Sequence, residues 1–206
     1  MNHHRSSLVN VFKVYADGGA QSTMMDVEEW TSLVTDLGFL KELTYRRVFI
    51  IYAHSRMLTI DENSQKGQTT GQLHQLTFES FLEAIVRLAE AKALPSDREM
   101  KRSGFHYPGE FFGDLIDQGS ALYYAWREKA TRRLRAGKAD PIWRRVDMLV
   151  LLMVSIVQYG VEKQPHGAKL LLRGSPDESI AFEEVRRFRR KPTPHVFEMP
   201  ASKASI

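Results

Sequence analysis

Leu76-Thr77-Phe78-Glu79-Ser80-Phe81-Leu82-Glu83-Ala84-Ile85 is the stretch on which the reading of the fold turns. Phe78, Phe81, Leu82, Ile85, Leu88 and Ala89 recur at steps of three and four, the period that gathers side chains on one face of an α-helix. Pro95 supplies its stop, because proline cannot donate into a continuing helix. Upstream, from Thr59 to Gln75, the chain is polar, aperiodic and nearly without apolar residues, which predicts a long surface loop. Before that loop, Val48, Ile51 and Tyr52 mark another helix, capped by Thr44; its opposite side is also apolar, which predicts deep burial. Val27, Trp30, Leu33, Val34 and Leu37 mark the preceding helix, with Gly38 as its stop. Leu8, Val11, Phe12 and Tyr15 mark the first, separated from the second by a small-residue loop over 16–23. Residues 8–95 therefore read as helix, loop, helix, twice over.

Downstream, Pro95, Gly104, Pro108 and Gly109 punctuate residues 96–113, the expected linker. Residues 114–191 read as a helical hairpin plus a C-terminal helix. Leu115, Leu122, Tyr123, Trp126, Ala130 and Leu134 form the stripe of one helix, closed by Gly137. Asp140-Pro141 is an N-cap and first-turn pair opening a second helix that runs to about Tyr159, with the apolar run Met148 to Val157 at its centre. That run is interrupted by Ser155 and falls far short of the roughly 20 residues a membrane span needs, so it reads as a buried helix. Ser175-Pro176-Asp177-Glu178 has the pattern of a capping box for a last helix holding Ile180, Phe182 and Val185. An irregular tail over 192–206 is expected to follow.

The layout of two helix–loop–helix units is that of paired EF-hands, whose loops need oxygen ligands at positions 1, 3, 5, 7 and 9, a glycine at 6 and a bidentate glutamate at 12. Placing Leu76 at position 8 of the second loop puts Phe81 just after position 12, which satisfies the apolar frame. The same register puts Thr69, Gly71 and Leu73 at positions 1, 3 and 5, His74 at the glycine position and Ser80 at 12. With Met25 at position 8, the first loop has Gly18, Ala20 and Ser22 at 1, 3 and 5, Asp26 at 9, Glu29 at 12 and Trp30 after it. A shift of one residue recruits Asp17 and Glu28 but leaves Gly19 and Gln21 at 3 and 5. Calcium takes six to eight oxygens, so Asp17, Asp26, Glu28 and Glu29 are too few. No metal or other cofactor is expected. In the first turns of a helix, Asp26, Glu28 and Glu29 are equally explained by the macrodipole.

Phe12, Met25, Trp30, Leu33 and Asp36, then Thr44, Val48 and Tyr52, and above all Leu76 to Ile85 with Leu88-Ala89, resemble the tubulin polymerisation-promoting protein family over residues 8–93. The resemblance implies a mainly α fold: a degenerate EF-hand pair of four helices, followed here by a helical C-terminal region. Its frame would be Phe12, Met25, Trp30, Leu33, Leu76, Phe78, Phe81 and Ile85. It also implies microtubule association. Degenerate EF-hand proteins of this kind occur among ciliary axoneme components, so the expected setting is the cytoskeleton of the cytoplasm, in the axoneme of a cilium or flagellum. The chain departs from the family in its longer loop over 59–75 and in lacking a counterpart of the glycine-rich C-terminal segment.

Charge is consistent with an acidic partner. The formal net charge is +4, and the sequence pI is about 9.3. Between Arg127 and Arg145 lie eight basic residues against Glu128 and Asp140, and Arg186-Arg187-Phe188-Arg189-Arg190-Lys191 is a second cluster. Arg127, Arg132, Arg133, Arg135, Arg144, Arg145, Arg186, Arg187, Arg189 and Arg190 are the candidate contacts to tubulin, the microtubule lattice or other axonemal proteins. A solvated helix face explains many of them equally well. No aromatic strand or recognition-helix motif supports nucleic acid. There are no cysteines, which removes disulfides, thiolate zinc sites and cysteine nucleophiles and fits a reducing compartment. The seven histidines include no pair at the helical i, i+4 spacing of a metal site, and no acid, base and nucleophile set converges. The expectation is a non-catalytic binding protein without a small-molecule substrate. Two alternatives are a calcium sensor, through Asp17, Glu28 and Glu29, and an accessory subunit of a mitochondrial complex, through the basic pI. Polar residues after Met1 argue against a secretory signal, and only Arg5 and Lys13 are basic before Asp17.

Overall fold

The computed structural model describes residues 4–16, 24–56, 75–159 and 180–190. Among them are nine α-helices: α1 (Arg5–Tyr15), α2 (Val27–Asp36), α3 (Tyr45–Arg56), α4 (Phe78–Ala91), α5 (Asp97–Ser103), α6 (Pro108–Asp117), α7 (Ser120–Arg135), α8 (Ile142–Tyr159) and α9 (Phe182–Arg190). No described helix is long and apolar enough to cross a membrane. The expected loop over 59–75, the Ser175 to Glu178 capping pattern and the 192–206 tail lie almost wholly outside the described residues.

The first four helices follow their apolar periodicities. Asp26 and Glu29 close a capping box at the start of α2, each carboxylate accepting the other's backbone N–H at 2.8 Å. Gly38, at φ 74°, ends that helix in the left-handed conformation that a side chain disfavours. Thr44 caps α3 and Thr77 caps α4, each hydroxyl accepting a backbone N–H at 3.3 Å. Val48, Ile51 and Tyr52 point inward as expected, but the other side of α3 is not buried: Tyr45 is 68% and Phe49 54% exposed. Helical periodicity cannot say which of two apolar faces meets the core, and here nothing covers the second among the described residues.

Residues 96–113, expected to be a linker, form α5 and the first part of α6. Ser96 and Glu99 build a capping box for α5. Pro108 is the first residue of α6, whose Glu110 carboxylate accepts the His106 and Tyr107 N–H groups at 3.0 and 3.2 Å. Met100 and Phe112 from this stretch are buried. Its prolines and glycines punctuate two short helices instead of loosening a tether. The helix expected from residue 114 is likewise two helices, broken at Gln118 and Gly119, where Gly119 has φ 111°. The break rephases the stripe, so Tyr123 is buried while Leu122 is half exposed.

Asp140 was expected to cap its own helix. Its Oδ2 instead accepts the backbone N–H of Asp97 at the start of α5, at 2.8 Å, and the Arg144 and Arg145 N–H groups in the first turn of α8 donate to the Pro141 carbonyl. The last helix begins at Phe182, later than its capping pattern suggested, with Phe182 exposed and Ile180, Val185 and Phe188 buried.

One hydrophobic cluster contains residues from both halves of the chain. Its centre is α4, which packs against α3 on one side and α8 on the other. The apolar centre of α8, from Met148 to Val157, is buried apart from the partly exposed Leu151. α9 returns to α1: Asn10 donates to the Ile180 carbonyl at 2.8 Å, and the Ile180 N–H donates to the Ser7 hydroxyl at 3.0 Å.

Candidate functional site

Met25 and Leu76 join the two helical hairpins. Each donates its N–H to the other's carbonyl, at 2.8 and 2.7 Å, as an isolated antiparallel bridge. Both side chains are fully buried, with Trp30 and Phe81 beside them at 6.2 Å between ring centroids. Phe12 adds ring contacts to Phe78 at 5.5 Å and to Phe81 at 5.3 Å. Leu33 and Ile85 are buried in the same cluster and Phe78 packs at its edge. Seven of the eight residues expected to form the frame belong to the one hydrophobic cluster of the described residues, and Phe78 packs against it.

Of the weak calcium candidates, Asp26 and Glu29 are bonded to each other's backbone in the capping box, Glu28 is exposed, and Asp17 lies outside the described residues. Among the described residues no three His, Cys, Asp or Glu side chains gather where an ion could be held.

The arginines divide into two groups. Arg133 pairs with Glu99 at 2.8 Å and donates to the Leu94 carbonyl at 3.1 Å, tying α7 to the entry of α5. Burial pushes the Glu99 carboxyl up, but hydrogen bonds from Ser96 and Arg133 outweigh it and hold the group below the usual carboxylate range. Arg144 bridges Asp97 at 2.6 Å and Asp147 at 2.9 Å. Arg145 donates to the Ala89 carbonyl of α4. Arg189 donates to the Val14 carbonyl and lies 5.3 Å from the Tyr15 ring centroid. These four hold helices together. Arg132, Arg135, Arg186 and Arg187 face solvent, Arg132 paired with Glu128 and Arg186 with Glu183 on their own helices; Arg190 ends α9. Arg127 is partly buried against Tyr124, 5.4 Å from its ring centroid.

Beside Arg127 opens a cleft of about 620 Å³ between α3, the end of α4 and α7. Arg47, Arg127 and Arg135 line it, with Leu43, Ala93 and Leu134 as apolar wall. Glu42 belongs both to this cleft and to a sealed polar cluster beneath it. The Lys92 ammonium, fully buried, pairs with Glu42 Oε2 at 2.8 Å and sits 4.5 Å from the Phe39 and 5.4 Å from the Phe112 ring centroids. The Tyr123 hydroxyl donates to the other Glu42 oxygen. Burial pushes the Lys92 ammonium down, against the opposing pull of Glu42, and pushes the Tyr123 phenol up. With Lys92 at 0% and the Glu42 side chain at 4% exposure, this cluster is closed to a substrate and works as a polar rivet joining α4, α7 and the α2–α3 connection.

Sequence reasoning passed over Glu42, Arg47, Lys92 and Tyr123 as site residues. A signal existed for Lys92: it follows Leu88 by four and Ile85 by seven, which continues the buried face of α4. Nothing local marks Glu42 as its counter-charge, because the partners are 50 positions apart.

A second, more apolar groove of about 580 Å³ runs between α1, α4 and α8, floored by Leu8, Val86, Val146 and Val150 and edged by Trp143, which is 68% exposed. No family model matches the chain, and comparison with curated proteins and with solved structures returns no match.

Proposed function

We propose that this chain is a non-catalytic structural protein that binds microtubules, as a component of the ciliary or flagellar axoneme, on a degenerate EF-hand pair that has lost calcium ligation. The observation that carries the reading is the reciprocal bonding of Met25 and Leu76. These are the two residues that occupy position 8 of both candidate loops, where an apolar residue normally knits paired loops together. Around that join the ligand positions lack carboxylates, and the two that remain, Asp26 and Glu29, are spent on capping α2. The binding side of the proposal is supported by cations left over once the helix-tying arginines are set aside, among them Arg47, Arg135 and Arg187, which are exposed and have no ion pair among the described residues. A surplus of this kind favours an acidic surface such as that of tubulin.

Co-sedimentation of the full chain with microtubules at physiological salt tests the function. The protein should appear in the pellet, and its retention in the supernatant would end the proposal. Calorimetry with millimolar calcium should give no binding heat; a saturable heat would replace this reading by that of a sensor.

A further inference from the structure

The cleft between α3, α4 and α7 carries more positive charge than its own fold uses. Of its two acidic groups, Glu42 is paired with buried Lys92, and Glu90 is exposed and lies within the electrostatic reach of Arg145. Three guanidiniums remain, those of Arg47, Arg127 and Arg135. None of the three has a carboxylate partner among the described residues. Guanidinium is weakly hydrated and presents paired donors that match a carboxylate or phosphate, so three of them around one cavity favour an anionic ligand.

We infer that this cleft binds an extended acidic peptide segment through Arg47, Arg127 and Arg135. Two features, the spacing of the arginines and the apolar wall, favour carboxylates spread along a peptide over a single phosphate group. Arg127 and Arg135 are eight residues apart on α7, which at 1.5 Å per residue separates them by about 12 Å along the axis. An extended peptide places carboxylates four residues apart at roughly 13 Å, whereas one phosphate cannot reach both ends. The ends of α4 and α7 that reach the cleft are C-terminal turns, whereas Arg47 lies in the first turn of α3, so the N-terminal end of that helix adds to the positive field there. Apolar wall at Leu43, Ala93 and Leu134 gives the aliphatic part of such a peptide something to pack on. The volume, about 620 Å³, falls in the range of ligand clefts.

This inference rests on the reading of the chain as a binder of acidic protein surfaces and names the site that does it. The test uses the full chain and a fluorescent peptide with glutamate at every fourth position among valine and serine, which disfavour a helix, against the same peptide with glutamine. Fluorescence anisotropy should show the glutamate peptide binding at least about tenfold more tightly, as three charge-assisted contacts require. Arg47→Gln with Arg135→Gln should abolish that difference while leaving the circular dichroism melt unchanged, since neither side chain holds the fold. Arg132→Gln, outside the cleft, should bind as the parent does. Equal binding of the two peptides, or full binding by the double variant, would overturn the inference. So would an oligonucleotide that displaces the peptide and binds more tightly through the same arginines. Microtubule co-sedimentation separates the two claims: a wild-type protein that binds the peptide but stays in the supernatant refutes the proposed function alone. One that pellets with microtubules but ignores the peptide refutes the cleft alone.

Discussion

Lys92 shows how a single residue can be read two ways. By its type it belongs at the surface; by its place in the i, i+3, i+4 pattern it belongs in the core, and the core prevails because Glu42 meets it there at 2.8 Å. Lys92→Met keeps the volume but leaves the Glu42 carboxylate buried without its counter-charge, still accepting from the Tyr123 hydroxyl. We expect it to cost about 3–5 kcal/mol, read as a lower urea midpoint. Adding Glu42→Gln should recover most of that loss; a double variant as unstable as the single would show that Lys92 acts by packing alone. Asp26 makes a smaller contribution. Asp26→Ala removes one half of a capping box and should cost about 1 kcal/mol in the same measurement, with or without calcium in the buffer. The sequence marks Asp26 as an acidic residue at a helix start, and the structure shows the same thing with its partner named. Glu42 could not be found that way, since its meaning comes from a residue on another helix.

Among elements, α7 separates arginines that look alike in the sequence. Arg132 and Arg133 are neighbours, and successive residues on a helix point about 100° apart, so one reaches solvent and the other Glu99 and the Leu94 carbonyl. Arg133→Ala should therefore cost about 1.5–3 kcal/mol, whereas Arg132→Ala should stay within about 0.5 kcal/mol of the parent. Glu99 adds a pH signature. Its carboxyl lies below its ordinary value of 4.5 in the folded state, so its contribution is present above that value and is lost as the pH falls. The gap between the two variants in chemical denaturation should narrow on acidification; a gap that persists in acid would show that Arg133 acts through its carbonyl contact alone. At the same scale, α5 and α6 were invisible to a reading that took Pro95, Gly104, Pro108 and Gly109 as loop signals. Glycine and proline mark boundaries, and two boundaries a few residues apart enclose a short helix as readily as a tether.

For the whole molecule, burial of three tyrosines sets the response to alkali. Tyr15 donates to Asp36 at 2.7 Å and Tyr123 to Glu42, and burial first, then those carboxylates, pushes both phenols well up; burial pushes Tyr52 to about 12. In the unfolded chain each ionises near 10.0. Above that pH the unfolded state holds fewer protons than the folded one, so stability must fall as pH rises, by roughly 4 kcal/mol per pH unit for the three together. Lys92 acts with the opposite sign below its ordinary 10.5, because its lowered folded value makes the unfolded state bind more protons there. Equilibrium denaturation should show a steep loss beginning above about pH 10, reduced by roughly a third in Tyr123→Phe; a flat profile to pH 12 would refute it. The sequence by itself determined the helical character, the inward faces of α1, α2 and α4, the apolar centre of α8 and the sparse carboxylates of the candidate loops, because each follows from residue type and spacing within a few turns of chain. Only the tertiary structure decided that Met25 bonds to Leu76, that Lys92 finds Glu42, and that α9 closes on α1. It also decided which arginines are left facing the cleft, because these depend on residues that meet only when distant segments are packed together.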